Sequence, residues 1–313
     1  GKTSQTDIVL CYMENRVDRK LLRELRGRIN TIKLDSLTMN QESLAECIYE
    51  RKWVNPFPKF KFTERPDAAS AAILEGNIVV LVDNSPQAMI VPTSVFDIVE
   101  EADDYYFPPV TGSYLRLTRF LIAIITLLLT PTFLLLFQNP QWVPEWLAFI
   151  QIKEPVNVPI VWQFLILELA IDGMRLAAIN TPSMLSTPLS VTAGIVLGQF
   201  TVDSGWFNAE IMMYMAFVAI ANYTQSSYEL SYALKFMRLI MLVLTSLFGL
   251  WGYIAGFALT LAAIAGNKTI AGKSYIYPLF PLNLNQLKKR FLRLSKKRLE
   301  EILQKQEAIM EQH

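Results

Sequence analysis

FLIAIITLLLTPTFLLLF, residues 120–137, runs for eighteen positions without a charged side chain. About 20 apolar residues in a helix cross the hydrocarbon core of a bilayer, so residues 113–138 are predicted to form a transmembrane helix. Arg116 and Arg119 stand just before the apolar run. Because basic flanks stay on the cytoplasmic side, we expect this helix to begin in the cytoplasm.

Four further apolar stretches follow at 160–179, 188–204, 207–224 and 239–265. The soluble N-terminal part and the basic C-terminal part are both expected in the cytoplasm, which requires an even number of crossings. We therefore predict about four full spans, with the charged stretch 160–179 as an interfacial or re-entrant helix. The last stretch carries three glycines spaced for close helix packing: Gly249, Gly252 and Gly256.

The first third of the chain mixes strand and helix patterns. It predicts a small cytoplasmic α/β domain at 1–108, before a helical membrane domain at 109–266 and a basic tail at 267–313. The predicted elements are a strand at 6–13, a helix at 18–32 capped by Asp18, a short strand near 33–37, a helix at 41–50, an extended stretch at 55–62, a helix at 66–76, and a hairpin with strands at 77–83 and 87–91.

The tail reads as a basic amphipathic helix over 284–310, which could lie on anionic lipid or pack on the soluble domain. Beside a membrane domain, a lipid-facing anchor is favoured over a nucleic-acid site, so no nucleic-acid partner is expected. Its basic residues are Lys288, Lys289, Arg290, Arg293, Lys296, Lys297 and Arg298. Residues 94–112 contain an acidic patch and are interpreted as a connector at the membrane surface; the acidic residues are Glu100, Glu101, Asp103 and Asp104.

Three charges share one face of the segment 160–179, since Glu168, Asp172 and Arg175 stand at i, i+4 and i+7. A charge within a membrane helix costs about 2.5–3.5 kcal/mol on insertion scales, so such residues face a cavity, a pore or a partner. Two interpretations stay open at this point. The stripe serves a functional path, or Arg175 forms an internal ion pair with one of the two carboxylates.

A second polar face runs along 188–204, where Thr192, Val196, Gln199 and Asp203 fall on one side of a helix. Such a face could line a water path, with Val196 and the neighbouring Ile195 as a hydrophobic constriction that gates by dewetting. Ordinary helix packing through small residues is the alternative.

The composition argues against an enzyme. The chain has two cysteines, Cys11 and Cys47, and one histidine, His313. This argues against a structural zinc site and against His-based catalysis, and no P-loop, GxGxxG or GxSxG motif occurs. We expect no metal and no cofactor. The sequence begins at Gly1 without methionine, and we expect it to be a piece of a longer protein.

Several segments resemble the A subunits of GerA-type bacterial spore germinant receptors. They are PFPKFKFTERPD (56–67), LEGNIVVLVD (74–83), Pro86, IVP (90–92), DYY (104–106), Glu168-x-x-x-Asp172-x-x-Arg175, Gly198-Gln199, Ser227-Tyr228, Arg238 and the glycine-rich segment 249–256. Ser226, Leu176 and Asn84 depart from the family pattern. With the long tail, these departures indicate a paralogous branch rather than a nutrient receptor itself.

The resemblance implies a multi-pass protein of the spore inner membrane that acts in germination. It implies a homo-oligomeric ring, a pentamer, that releases or amplifies release of monovalent cations. It further implies a small membrane protein partner and other germination proteins as partners. On this chain the pore helix would be 188–204. A non-conducting scaffold that recruits or stabilises other germination proteins is the alternative function.

Overall fold

The computed structural model describes residues 3, 5–49, 55–180, 191 and 194–292. The chain divides into two compact units. The first comprises residues 1–120, 226–230 and 262 onward, and the second comprises 121–225 and 231–261.

An antiparallel sheet of four strands organises the first unit, in the order β1-β3-β4-β2. The strands are β1 (Ile8–Cys11), β2 (Lys61–Thr63), β3 (Ile78–Val82) and β4 (Ala88–Val91). The predicted hairpin is confirmed, since Val79 pairs with Ile90 across β3 and β4. Asn84 in its turn has φ 56°, a left-handed conformation that asparagine tolerates.

The predicted strand near 33–37 was wrong, whereas the extended stretch predicted after the two prolines of 55–62 is present as β2. Residues 33–37 do not form a strand, because Asp35 and Ser36 favour a bend over regular pairing. Within 55–62 the chain is irregular until β2 begins at Lys61, since the prolines at 56 and 58 cannot donate to a ladder.

Four helices accompany the sheet: α1 (Arg19–Asn30), α2 (Asn40–Ile48), α3 (Pro66–Leu74) and α4 (Val95–Val99). Asp18 caps α1 as predicted, because its carboxylate accepts from the backbone N–H groups of Lys20 and Leu21. Ser94 and Asp97 form a capping box at the start of α4.

The alternation of side chains along β3 builds a core on each face of the sheet. Ile78 and Val80 pack with Leu25 of α1 and Leu44 of α2, all four fully buried. Val79 points to the opposite face and packs with Ala72 of α3. The predicted combination of a small sheet with helices in the first third of the chain is therefore confirmed, whereas the domain bounds 1–108 and the cytoplasmic placement stay predictions.

Long apolar helices form the second unit: α5 (Pro109–Gln138), whose first residues belong to the first unit, α6 (Ile160–Asn180), α7 (Ala209–Tyr223) and α8 (Tyr228–Ala265). A short helix, α9 (Leu284–Phe291), follows in the first unit. The core of the second unit includes Phe133, Phe164, Ile211, Met215 and Leu242.

Within the described residues, two helices, α5 and α8, are long and apolar enough by length and composition to cross a membrane, although α8 is interrupted at Gly249. The prediction of four full spans is wrong by this criterion. Helix α7 is apolar but has only 15 residues, about 22 Å at 1.5 Å per residue. Helix α6 carries three charges, and the stretch 188–204 lies partly outside the described residues.

Helices α6 and α7 run in the same direction. Near the start of α6, Gln163 donates to the side chain of Asn208 and accepts from its backbone N–H, both at 2.9 Å, just before α7 begins. Near the end of α6, the guanidinium of Arg175 lies 4.9 Å from the ring centroid of Tyr223, the last residue of α7. The starts of the two helices therefore lie together at one end of the unit, and their last turns lie together at the other.

Candidate functional site

A buried ion pair joins α6 to α8. The Nε of Arg238 donates to Oε1 of Glu168 at 3.0 Å, and a second guanidinium nitrogen also contacts that oxygen. Arg238 is fully buried and Glu168 is 5% exposed. Such a pair survives burial only when further hydrogen bonds satisfy its remaining donors. Here the third nitrogen of Arg238 donates to the carbonyl of Thr126 at 3.0 Å, so α5 is held as well.

Lys235 extends this pair into a network. Its ammonium lies 3.3 Å from Oε2 of Glu168 and also contacts the carboxylate of Asp172. The two carboxylates stand one turn apart on α6, and the two cations stand nearly one turn apart on α8. The pair of Glu168 and Arg238 is buried, whereas the side chain of Asp172 is 29% exposed.

Arg175, the third member of the predicted stripe, lies over two aromatic rings. Its guanidinium carbon is 4.9 Å from the centroid of Tyr223 and 5.5 Å from that of Tyr232. The sequence alternative paired Arg175 with Glu168 or Asp172. Those carboxylates bind Lys235 and Arg238 instead.

The sequence missed Lys235 because the last apolar stretch was taken to begin at 239. Helix α8 in fact begins at Tyr228, so Lys235 and Arg238 lie inside it. The sequence did contain a usable signal. Lys235 and Arg238 stand at i and i+3, and more than twenty apolar positions follow them. Cations so placed need buried partners, which the acidic pair on α6 could supply.

The predicted pore face is only partly described. Thr192 and the side chain of Val196 lie outside the described residues. Ile195–Phe200 forms a π-helical turn that leads into an α-helical turn at Thr201–Asp203. The side chains of Ile195, Gln199 and Asp203 are all exposed in the single chain. Short π-helical turns occur frequently at functional sites.

The glycine-rich segment turns α8 back on itself. Gly249 has φ 58° and ψ −131°, a conformation that only glycine adopts readily. A Cβ on Gly252 would overlap the carbonyl of Leu244, and one on Gly256 would lie 2.8 Å from the Cα of Met241. Residues after the turn thus pack on those before it, and α8 is a tight hairpin of two antiparallel arms.

In the first unit, the acidic connector binds the base of α5. Asp104 is fully buried and accepts two hydrogen bonds from Arg119, both at 2.7 Å, while the Nε of Arg116 lies 3.4 Å away. Glu100 lies 2.5 Å from another nitrogen of Arg116. The arginines that predicted the orientation of the first helix are therefore ion-paired within the protein.

Helix α9 docks on the same connector. Arg290 lies 2.5 Å from Asp97 and 3.0 Å from Glu100, and these carboxylates help to raise the pKa of its guanidinium against the opposing effect of burial. The ring of Phe291 packs 4.9 Å from that of Phe120. For α9 the structure thus shows packing on the soluble unit.

The other tail cations are less fully described. Lys288 is exposed, and its role at a lipid surface stays a prediction. The remaining predicted tail positions, the side chain of Lys289 together with Arg293, Lys296, Lys297 and Arg298, lie outside the described residues.

Residues of the PFPKF motif form hydrogen bonds with the chain that follows α8. Lys59, 6% exposed, donates to the side chain of Asn267 at 2.5 Å and to the carbonyl of Lys268 at 3.1 Å. Asn55 donates to the same side-chain oxygen of Asn267 at 2.9 Å. Tyr275 is fully buried and donates to the carbonyl of Pro58 at 2.7 Å.

The TERPD motif builds a second contact in the first unit. Arg65 donates to both carboxylate oxygens of Asp67 and contacts Asp103 of the connector, and Tyr106 also bonds Asp67. The hydrogen bonds from Arg65, and then that from Tyr106, hold the pKa of the Asp67 carboxyl well below its usual range. PFPKF and TERPD, two parts of the 56–67 block that contributed to the resemblance, therefore both have structural roles.

Together, the two helices of membrane length and the charges buried between apolar helices indicate the class of membrane proteins, here with a small α/β unit beside the helical one. The model of the family described as Bacillus/Clostridium GerA spore germination protein matches residues 1–303. The chain belongs to this family.

Three relatives illustrate the range of the family. Stage V sporulation protein AF of Bacillus subtilis (strain 168) is 35% identical over 95% of this chain and 60% of its own length. Spore germination protein GerLA of Bacillus cereus is 29% identical over 96% of the chain and 61% of its own length. Spore germination protein A1 of B. subtilis is 27% identical over 89% and 58%. The chain thus spans about three fifths of the length of these relatives. No solved structure matches it.

Proposed function

We propose that this chain is the pore-forming subunit of a homo-oligomeric channel, a pentameric ring, that releases monovalent cations across the spore inner membrane during germination. The observation that carries the proposal is the exposure of Gln199 and Asp203 on the short helical segment 195–203 of the second unit. A polar side chain that faces lipid is costly, and for a carboxylate the cost reaches about 2.5–3.5 kcal/mol at the centre of a membrane helix. A ring that turns this segment inward removes that cost.

The buried charges support a framework role for α5, α6 and α8, with conduction assigned to segment 195–203. Glu168 and Asp172 are engaged by Lys235 and Arg238, and Thr126 brings α5 into the same network. This pins three helices by contacts that are strong in a low-dielectric interior. In the proposed channel these three helices are the fixed framework, and segment 195–203 carries the constriction.

The test is cation flux from liposomes that contain the purified protein. We expect Val196→Ala to raise K⁺ flux, because a smaller side chain widens the constriction, and Gln199→Leu to lower it. Phe217→Ala, on an exposed side of α7, is the matched control and is expected to leave flux unchanged. Flux no greater than from empty liposomes, or an equal effect of the control, overturns the proposal.

A non-conducting scaffold is the second candidate, and it draws on the well-packed first unit, in which the TERPD motif and α9 both contact the connector. In the same liposomes a scaffold gives no flux. For either function we propose a small membrane protein and other germination proteins as partners. Copurification of such proteins with the wild type, compared with Lys288→Glu on the exposed side of α9, tests that interaction.

A further inference from the structure

Five of the six tryptophans stand at helix ends in the second unit, and all five are exposed to solvent in the single chain. Their exposure ranges from 46% for Trp142 to 77% for Trp251. They are Trp142 and Trp146 after α5, Trp162 at the start of α6, Trp206 before α7 and Trp251 at the turn of α8. A large ring exposed at so many separate chain positions calls for a common environment.

The structure brings these positions to one end of the unit. The hydrogen bonds between Gln163 and Asn208 join the start of α6 to the start of α7. Asn157, in the loop after α5, donates to the carbonyl of Gly205 at 3.0 Å. The turn of α8 reaches the end of α5, since a Cβ on Gly249 would lie 3.8 Å from the side-chain oxygen of Gln138.

The exposed side chains change character away from this end. Along the middle of the helices they are apolar, with Ile124 on α5, Leu169 on α6 and Phe217 on α7. At the opposite end Arg175 lies over Tyr223 and Tyr232. The fifteen residues of α7 put about 22 Å between its two ends, within reach of a hydrocarbon core of about 30 Å.

We propose that Trp142, Trp146, Trp162, Trp206 and Trp251 form a belt that contacts the phospholipid headgroup region at this end of the helical unit. Indole suits that region because its ring is apolar while its N–H needs a hydrogen-bond acceptor, which ester carbonyls and water supply. The exposed aliphatic band beneath the belt then faces the acyl chains. Lipid is favoured over a protein partner because the exposed rings come from four separate places in the chain that meet at this end, each beside exposed apolar side chains of a helix long or apolar enough to enter a bilayer.

The test is depth-dependent quenching of tryptophan fluorescence in phosphatidylcholine–phosphatidylglycerol vesicles. The full chain carries Trp53→Phe, which removes the sixth tryptophan. We expect lipids brominated near the carbonyl end of the acyl chain to remove more emission than lipids brominated near the methyl end. Single changes Trp251→Phe and Trp162→Phe are each expected to remove part of the shallow-quenched emission.

Phe217→Trp is the matched control, because it adds an exposed ring at mid-helix. Its added emission is expected to show the reverse order, with the strongest quenching by bromine near the methyl end. Stronger methyl-end quenching of the native tryptophans overturns the belt. The absence of quenching by any brominated lipid also overturns it, since a second copy or a partner protein would then cover the rings. Neither readout depends on cation flux, so failure of the belt is distinguishable from failure of the channel.

Discussion

Arg238 on α8 and Glu168 on α6 form an ion pair that is buried on both sides, with Nε 3.0 Å from Oε1. The two residues are seventy positions apart in the sequence. Each charge offsets part of the free-energy cost of burying the other. Lys235 also lies close to Glu168, so the two cations of α8 together fix the register of α8 against α6.

Glu168→Gln is expected to destabilise the second unit strongly, by about 3–5 kcal/mol, because it leaves the buried Arg238 without its counter-charge. The measurement is thermal unfolding of the detergent-solubilised protein. Asp172→Asn is the control and should cost less, since its side chain is 29% exposed. Combining Glu168→Met with Arg238→Met removes both charges and should recover part of the loss. Equal losses for Glu168→Gln and Asp172→Asn contradict this assignment.

Gly252→Ala is expected to destabilise α8 by roughly 1–3 kcal/mol, since the new methyl group overlaps the backbone carbonyl of Leu244 and forces the hairpin arms apart. Gly173→Ala on α6 is the matched control, because nothing lies within 4 Å of the new methyl group. That change should be neutral or stabilising, as alanine favours helices. Comparable melting temperatures for the two variants would argue against the hairpin.

Phe291→Ala and Arg290→Ala are expected to release α9, because the first removes the aromatic contact with Phe120 and the second removes both ion pairs to the connector. Limited proteolysis is the measurement, with faster cleavage around 284–292 as the expected result. Lys288→Ala, on an exposed position of the same helix, should be cleaved at the wild-type rate. Protection that stays unchanged in both release variants would mean that α9 does not depend on this contact.

Tyr275→Phe is expected to lower stability by about 1–3 kcal/mol, because it leaves the buried carbonyl of Pro58 without a donor. Burial raises the pKa of the Tyr275 hydroxyl above its usual range, with smaller contributions from Glu229 and Asp97. The folded protein therefore keeps this proton longer than the unfolded chain.

The sign of the pH effect follows from that difference. The contribution is fully present below the unfolded pKa of about 10 and is lost as pH rises through the higher folded value. Melting temperatures measured between pH 7 and 11 should fall more steeply above pH 10 for the wild type than for Tyr275→Phe. Parallel curves would show that the hydroxyl does not titrate in this way.

Local patterns located most elements of the fold. The Asp18 cap, the apolar strand at 78–82 and the charge-free run 120–137 each follow from short-range chemistry, and the structure has the corresponding elements. The strand near 33–37 failed because pairing needs a neighbour that a local pattern cannot supply. The count of spans failed because helix length depends on where the chain turns, as at Gly249.

By itself, then, the sequence determined which residues are apolar enough for a membrane, where the α/β unit lies, and that Glu168 and Asp172 share a helix face. Only the tertiary structure decided that their partners are Lys235 and Arg238 rather than Arg175, that α9 packs on the connector, and that five tryptophans share one end. The physical reason is the short range over which a sequence pattern constrains the chain. Periodicity fixes which side of a helix a residue occupies, whereas the partner of a buried charge depends on which distant helix packs there.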